Sequence, residues 1–126
     1  MASFSSSQRQ RATAILVRDN KVLLVRDRNR PSFALPGGGI EANELAIAAV
    51  AREVHEETTL VPSAIAFLFQ HGGKRNIHQV FRVHAEGEVN VDGDAAVEEF
   101  LWWDRVRGIS AYPHVLEILG QFGEAT

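Results

Sequence analysis

Residues 36–60 read PGGGIEANELAIAAVAREVHEETTL, and this stretch decides the fold. A proline and three glycines break whatever precedes them, and the alanine-rich segment that follows carries helical periodicity. Asn43 is a good N-cap, so a helix is predicted from there to about Thr58, and Pro62 blocks its continuation. On that helix Ile47, Val50, Ala51 and Val54 share an apolar face, while Glu53, Glu56 and Glu57 gather on the other side. Ala46 and Ala49 fall among the glutamates and leave room for something to approach. Carboxylates at such spacing repel by roughly a few tenths of a kcal/mol per pair. Two readings explain the crowd: a solvated acidic face, or a hard oxygen cluster in which a divalent cation turns repulsion into coordination. The glycines ahead of the helix can bring backbone close to an anion. Spacing alone leaves both readings open.

Working outward, RATAILVR (11–18) and KVLLVRDR (21–28) are short apolar runs joined by the turn pair Asp19-Asn20. Both faces of each run are apolar at first, which suits strands covered on both sides. Arg26, Arg28 and Arg30 then alternate, so an extended chain would aim them the same way. Beyond the helix, AIAFLFQ (64–70) and IHQVFRVHAEGEV (77–89) read as strands around the turn HGGKRN (71–76). Residues 89–99 read as a loop, FLWWDRV (100–106) as a short strand, and PHVLEILGQF (113–122) as a closing helix with Pro113 in its first turn. An α/β fold follows, a mixed sheet with helices on both faces, expected as a single domain over residues 1–126.

Composition narrows the function classes. With no cysteine, disulfides and thiolate metal sites are excluded. No apolar run approaches the ~20 residues of a membrane span, and the polar, basic start MASFSSSQRQR lacks the apolar core of a signal peptide. A cytoplasmic location is the default expectation. The net charge of −3 gives no support for bulk nucleic-acid binding. It hides an asymmetry, however: residues 1–30 hold seven Lys/Arg against Asp19 and Asp27, while residues 41–60 hold five glutamates against Arg52. A basic segment beside an acidic one suits a phosphate-plus-metal site, although solvated faces account for such charges more often.

The wider pattern adds weight to the cation. Gly38, five residues, Glu44, seven residues, then Arg52-Glu53-Val54-His55-Glu56-Glu57 resembles the Nudix box of the MutT-like pyrophosphohydrolases, with Leu35-Pro36 before it and Leu60 at its end. The resemblance implies a Nudix-type α/β/α sandwich. It also implies Glu53, Glu56 and Glu57 as ligands of Mg²⁺ (or Mn²⁺), joined by the backbone carbonyl at Gly37. Gly38, Glu44 and Arg52 would brace the loop and orient those ligands. The general base varies within the family; Glu53 is one candidate, and Glu98 or Glu99, in the loop before the tryptophan-bearing strand, is another. Arg26, Arg28, Lys74 and Arg75 are weak candidates for holding phosphates. One position departs from the family: its glycine near the helix end is Thr59 here. Thr59 must leave the helix by another backbone route or carry a local strain of about 1–3 kcal/mol.

The implied reaction splits a nucleoside diphosphate linked to another group. Neither the proline of ADP-ribose hydrolases nor the tyrosine of dinucleoside polyphosphate hydrolases stands at Arg75–His78. The chain also starts without the extra N-terminal region common in sugar-nucleotide hydrolases. By elimination a small-molecule nucleoside triphosphate is the expected substrate, cleaved to monophosphate and pyrophosphate. The alternatives are a hydrolase of ADP-ribose or dinucleoside polyphosphates, a non-catalytic nucleotide-sensing module of the same fold, and an RNA 5′-end pyrophosphohydrolase. The last would favour a more basic surface. His78 and His84 read as polar strand-face residues, and Phe67, Phe69, Phe81 and Trp102 or Trp103 as core side chains more than base-stacking ones. HGGKR lacks the spacing of a P-loop. Oligomeric state is not legible.

Overall fold

The computed structural model describes residues 8–91 and 96–125. The chain runs β1 (Arg9–Ile15), β2 (Val17–Arg18), β3 (Lys21–Asp27), β4 (Gly37–Gly39), α1 (Ala46–Thr58), β5 (Val61–Gly72), β6 (Asn76–Glu86), β7 (Val97–Trp103) and α2 (Pro113–Ala125). The strands form two sheets. One has the order β4-β1-β6-β5 and is mixed, since β1 and β6 are parallel and its other pairs antiparallel; the second has the order β2-β3-β7. Asp19 and Asn20 both take positive φ, 54° and 63°, the geometry of a two-residue hairpin turn whose twist matches its strands. Pro62 is tolerated inside β5 because β5 is an edge strand with a register shift beside it.

Two apolar clusters hold the layers together. Ala12, Ala14, Phe81 and Val83 on one face of the mixed sheet pack with Ala49, Val50 and Val54 of α1. On the opposite face Ile15 and Val80 meet Val22, Leu24 and Trp103 of the second sheet and Val115, Ile118 and Phe122 of α2. The sandwich expected from the sequence is therefore present, with the strands divided between two sheets. No helix among the described residues is long and apolar enough to cross a membrane.

Several expectations need correction. The helix starts at Ala46, not beside Asn43, because Asn43 sits in a turn at φ 66° and the Glu44 side chain binds the Glu41 N–H at 3.0 Å instead of continuing a helix. The buried face of α1 uses Ala49, Val50, Val54 and Thr58, while Ile47 is exposed; Ala49 is thus core, not open space among the glutamates. Extended chain ends at Asp27: Asn29 takes φ 65° and the Arg30 N–H returns to the Asp27 carbonyl, so Arg26, Arg28 and Arg30 do not form one row. Glu98 and Glu99 belong to β7 and not to a loop, and the loop expected at 89–99 falls partly outside the described residues.

Thr59 takes the left-handed route that the family serves with glycine, φ 65° and ψ −1°, and its N–H closes on the His55 carbonyl at 2.9 Å. Its hydroxyl donates to the Glu88 carbonyl at 3.2 Å, and the Asn90 N–H binds the Thr58 carbonyl at 2.9 Å. These bonds offset a strain of about 1–3 kcal/mol and dock the helix end on the chain after β6.

Candidate active site

β4 consists of glycine alone, and the site begins there. A side chain on Gly37 would overlap the Ala12 carbonyl, and φ at Gly37 is 149°, so no other residue suits that position. A side chain on Gly38 would occupy the place of the Glu53 carboxylate. The bare strand lets α1 lay Glu53 and Glu57 against the sheet edge. The Glu57 Oε1 accepts the Gly37 N–H at 3.1 Å, and no cation among the described residues stands within ion-pair distance of it. Burial pushes the Glu57 carboxyl up to about 8, with Glu53 and Asp27 adding to the rise against the Gly37 N–H and Arg11.

Arg52 organises the acids around it. Its Nε and Nη2 grip both Glu44 oxygens, at 2.8 and 3.0 Å, and Nη2 also reaches the Gly39 carbonyl at 3.3 Å. Its Nη1 donates to Glu53 at 3.0 Å and to Glu56 at 3.4 Å. This fork holds the Glu44 carboxyl down at about 2 and pushes the Arg52 guanidinium up. The arrangement joins loop, glycine strand and helix in one network.

Whether the acids fit a divalent cation turns on their donors. Carboxylate oxygens suit a hard cation, and the half-buried Glu57 carboxylate has, among the described residues, one hydrogen bond to offset its desolvation. As the side chains stand, no three carboxylates or imidazoles among the described residues converge on one point. Arg52 engages Glu53 and Glu56, and Glu56 is exposed, so Glu56 must turn from Arg52 to complete a triad. Such a turn is open to a surface side chain on a helix.

Glu57 and Gly37 line a cleft of about 470 Å³. Arg11, Arg30 and Arg75 line it too, as do Asp27, Tyr112 just before α2 and His114 in the first turn of α2. Of the four basic residues singled out from sequence, only Arg75 lines this cleft; Lys74 lines the outer groove that adjoins it. Arg26 is occupied elsewhere, bound to Glu99 at 3.0 Å, to Glu98 at 3.7 Å and to the Arg30 carbonyl at 3.1 Å. Glu98 and Glu99 thus face Arg26, and neither they nor Arg28 line the cleft.

Phe81 and Trp103 are core, as expected, whereas Phe67 is exposed and sits edge-on to Phe81; Trp102 lies under the Arg18 guanidinium. His78 is the correction: it is buried in the cleft wall, 2.8 Å from the Thr13 hydroxyl through Nδ1, and stacks on His114 at 4.8 Å. Burial lowers His78 to about 3 and His114 to about 4, so both imidazoles are neutral at physiological pH. Arg11, Arg30, Tyr112 and His114 were missed because they come from separate elements. The only available signal was the basic excess of residues 1–30.

A glycine edge strand, a helix presenting carboxylates against it and an arginine-lined cleft alongside make up the candidate site. The family model described as the NUDIX domain matches residues 8–114, and the chain belongs to that family. Over 57 residues it is 46% identical to an ADP-ribose pyrophosphatase of Methanocaldococcus jannaschii, covering 43% of this chain and 34% of that protein. Over 54 residues it is 37% identical to an RNA pyrophosphohydrolase of Francisella tularensis subsp. mediasiatica, covering 43% and 35%. The matched segments thus span about a third of those relatives' length. The crystal structure of a MutT NUDIX hydrolase from Burkholderia pseudomallei superimposes with a TM-score of 0.74 at 26% identity, covering 88% of this chain and 94% of that one.

Proposed function

We propose that this chain is a metal-dependent nucleotide pyrophosphohydrolase that splits a nucleoside diphosphate linked to another group. The observation that supports it most is the glycine edge strand, which seats Glu53 against Gly38 and Glu57 on the Gly37 N–H, with Glu57 lining a cleft that also holds Arg11, Arg30 and Arg75. In this reading Glu53, Glu56, Glu57 and the Gly37 carbonyl hold Mg²⁺ or Mn²⁺, and Glu44 and Arg52 brace them. When bound, the cation neutralises phosphate oxygens and lowers the pKa of water. The chain's own residues do the rest. Arg11, Arg30 and Arg75 hold the phosphates along the cleft. Glu53, seated against Gly38, takes the proton of the attacking water. Glu98 and Glu99, the other candidates for the base, are bound to Arg26 and do not line the cleft.

A nucleoside triphosphate, cleaved to monophosphate and pyrophosphate, is the favoured substrate. ADP-ribose is the second reading, favoured by the 46% identity to an ADP-ribose pyrophosphatase. A purely nucleotide-sensing role is disfavoured because every box carboxylate is present. The same reading takes residues 1–126 as one cytoplasmic domain. The test is hydrolysis of both substrates with and without chelator. Metal-restored release of monophosphate supports the reading, and chelator-insensitive turnover overturns it.

A further inference from the structure

The longest strand among the described residues is also thinly covered. β5 spans twelve residues, Val61–Gly72, at the edge of the mixed sheet, with β6 on one side only. None of its residues is buried; Ser63, Ala64, Ala66 and Phe67 are exposed, and Phe67 keeps 56% of its surface open. The free side of an edge strand presents backbone N–H and C=O groups to any strand that matches them, and natural edges are guarded by charge, proline or bulges. Here the guards stand at the ends. Pro62 and the register shift beside it close the start, and His71 is tied to Gln121 and Glu117 of α2 at 2.9 and 3.0 Å. A second shift falls between Phe67 and Phe69, which leaves residues 64–67 as a regular run in the middle. Residues 61–70 contain no Asp, Glu, Lys or Arg.

We propose that β5 is the surface through which two copies of this chain pair, edge to edge and antiparallel, about a twofold axis at Ala66. The partner is a second copy because the strand is complementary to itself: identical uncharged strands run antiparallel meet donor to acceptor with no like charges opposed. The axis at Ala66 sets each Phe67 opposite the other copy's Ile65, an aromatic and β-branched pair that covers the exposed ring. Ala64 and Ala66 alternate with them on the opposite face, where small side chains let the strands close. Each copy has one β5, so the contact ends with the dimer. The glycine strand β4 and its acids stand at the other edge of the same sheet, and pairing leaves each copy's site uncovered. The contact goes beyond the hydrolase reading and does not depend on it.

The test uses the full chain. Sedimentation velocity from about 1 to 500 µM should show a monomer–dimer equilibrium in the parent. Ala66→Lys sets like charges face to face at the axis and should raise the dimer Kd at least ~tenfold, with thermal melting at the dilute end checking that it folds. The chain has no cysteine, so Ala66→Cys places its one thiol on the axis, and mild oxidation should link two copies. Val106→Cys, on the exposed loop after β7, should stay unlinked. A parent that stays monomeric at the highest concentration, an assembly that grows past two copies, or an Ala66→Lys variant that dimerises like the parent overturns the proposal. Failure of Ala66→Cys to link, or equal linking through Val106→Cys, overturns it as well, and this arm decides the matter if Ala66→Lys does not fold.

Discussion

Glu57→Gln should stabilise the metal-free protein at mildly alkaline pH while abolishing its response to metal. The Glu57 carboxyl is pushed up to about 8 in the folded chain from an ordinary 4.5, because burial disfavours its charge. An acid whose pKa rises on folding contributes full stability below the unfolded value and loses it as pH climbs toward the folded one. Between about pH 4.5 and 8 the parent therefore loses stability through this one group, about 4 kcal/mol by pH 7.5. Glutamine keeps the shape, and its carbonyl can still accept the Gly37 N–H, so the variant avoids that loss. A chain of 126 residues has an unfolding entropy of about 0.26 kcal/mol/K, which converts the difference to roughly 15 °C in Tm. The assay is thermal denaturation of both proteins in chelator, from pH 4.5 to 8.5, then again with Mg²⁺. The variant should match the parent at pH 4.5 and exceed it increasingly above pH 6. Added Mg²⁺ should raise the parent's Tm alone, more at higher pH, since the cation takes the ionised carboxylate. Parallel pH curves for the two proteins would refute the buried, unpaired state of Glu57.

Arg52→Lys should lower turnover at least tenfold while metal is saturating, because a lysine cannot grip both Glu44 oxygens and still reach Glu53; steady-state kinetics check this. Gly37→Ala should lower Tm by about 10 °C or prevent folding, since the added carbon meets the Ala12 carbonyl at a φ of 149°. Thr59→Gly exchanges relief of left-handed strain for loss of the hydroxyl bond to Glu88, so Tm should stay within ~4 °C and turnover within a few-fold. A large gain in turnover would show that Thr59 restrains the helix it ends.

The helix and its acids were legible because their signal is local. Glu53, Glu56 and Glu57 repeat at helical spacing, and Glu44 and Arg52, eight residues apart, form the brace through a direct bidentate bond. Asn43 misled because a cap residue and a left-handed turn residue look alike until the chain's direction is known. The row of Arg26, Arg28 and Arg30 failed for a related reason: alternation has meaning only while the strand lasts, and the turn at Asn29 ends it. The cleft itself was beyond local reasoning. Arg11 of β1, Arg30 of the following loop, Glu57 of α1, His78 of β6 and Tyr112 before α2 meet only because parallel pairing of β1 with β6 sets those strands side by side. Nor does hydropathy announce a buried histidine; His78 is tolerated inside because Thr13 binds its ring.

The central claim is that acids held against a glycine edge strand serve a cation and a diphosphate linkage. Its most direct test follows monophosphate and pyrophosphate release from a panel of nucleoside triphosphates, with ADP-ribose alongside, in Mg²⁺, in chelator and after Mg²⁺ is restored. The account predicts hydrolysis that disappears with chelator, returns with Mg²⁺ and is lost in Glu57→Gln despite that variant's intact fold. Hydrolysis that persists in chelator, or that survives Glu57→Gln near the parent rate, would contradict it.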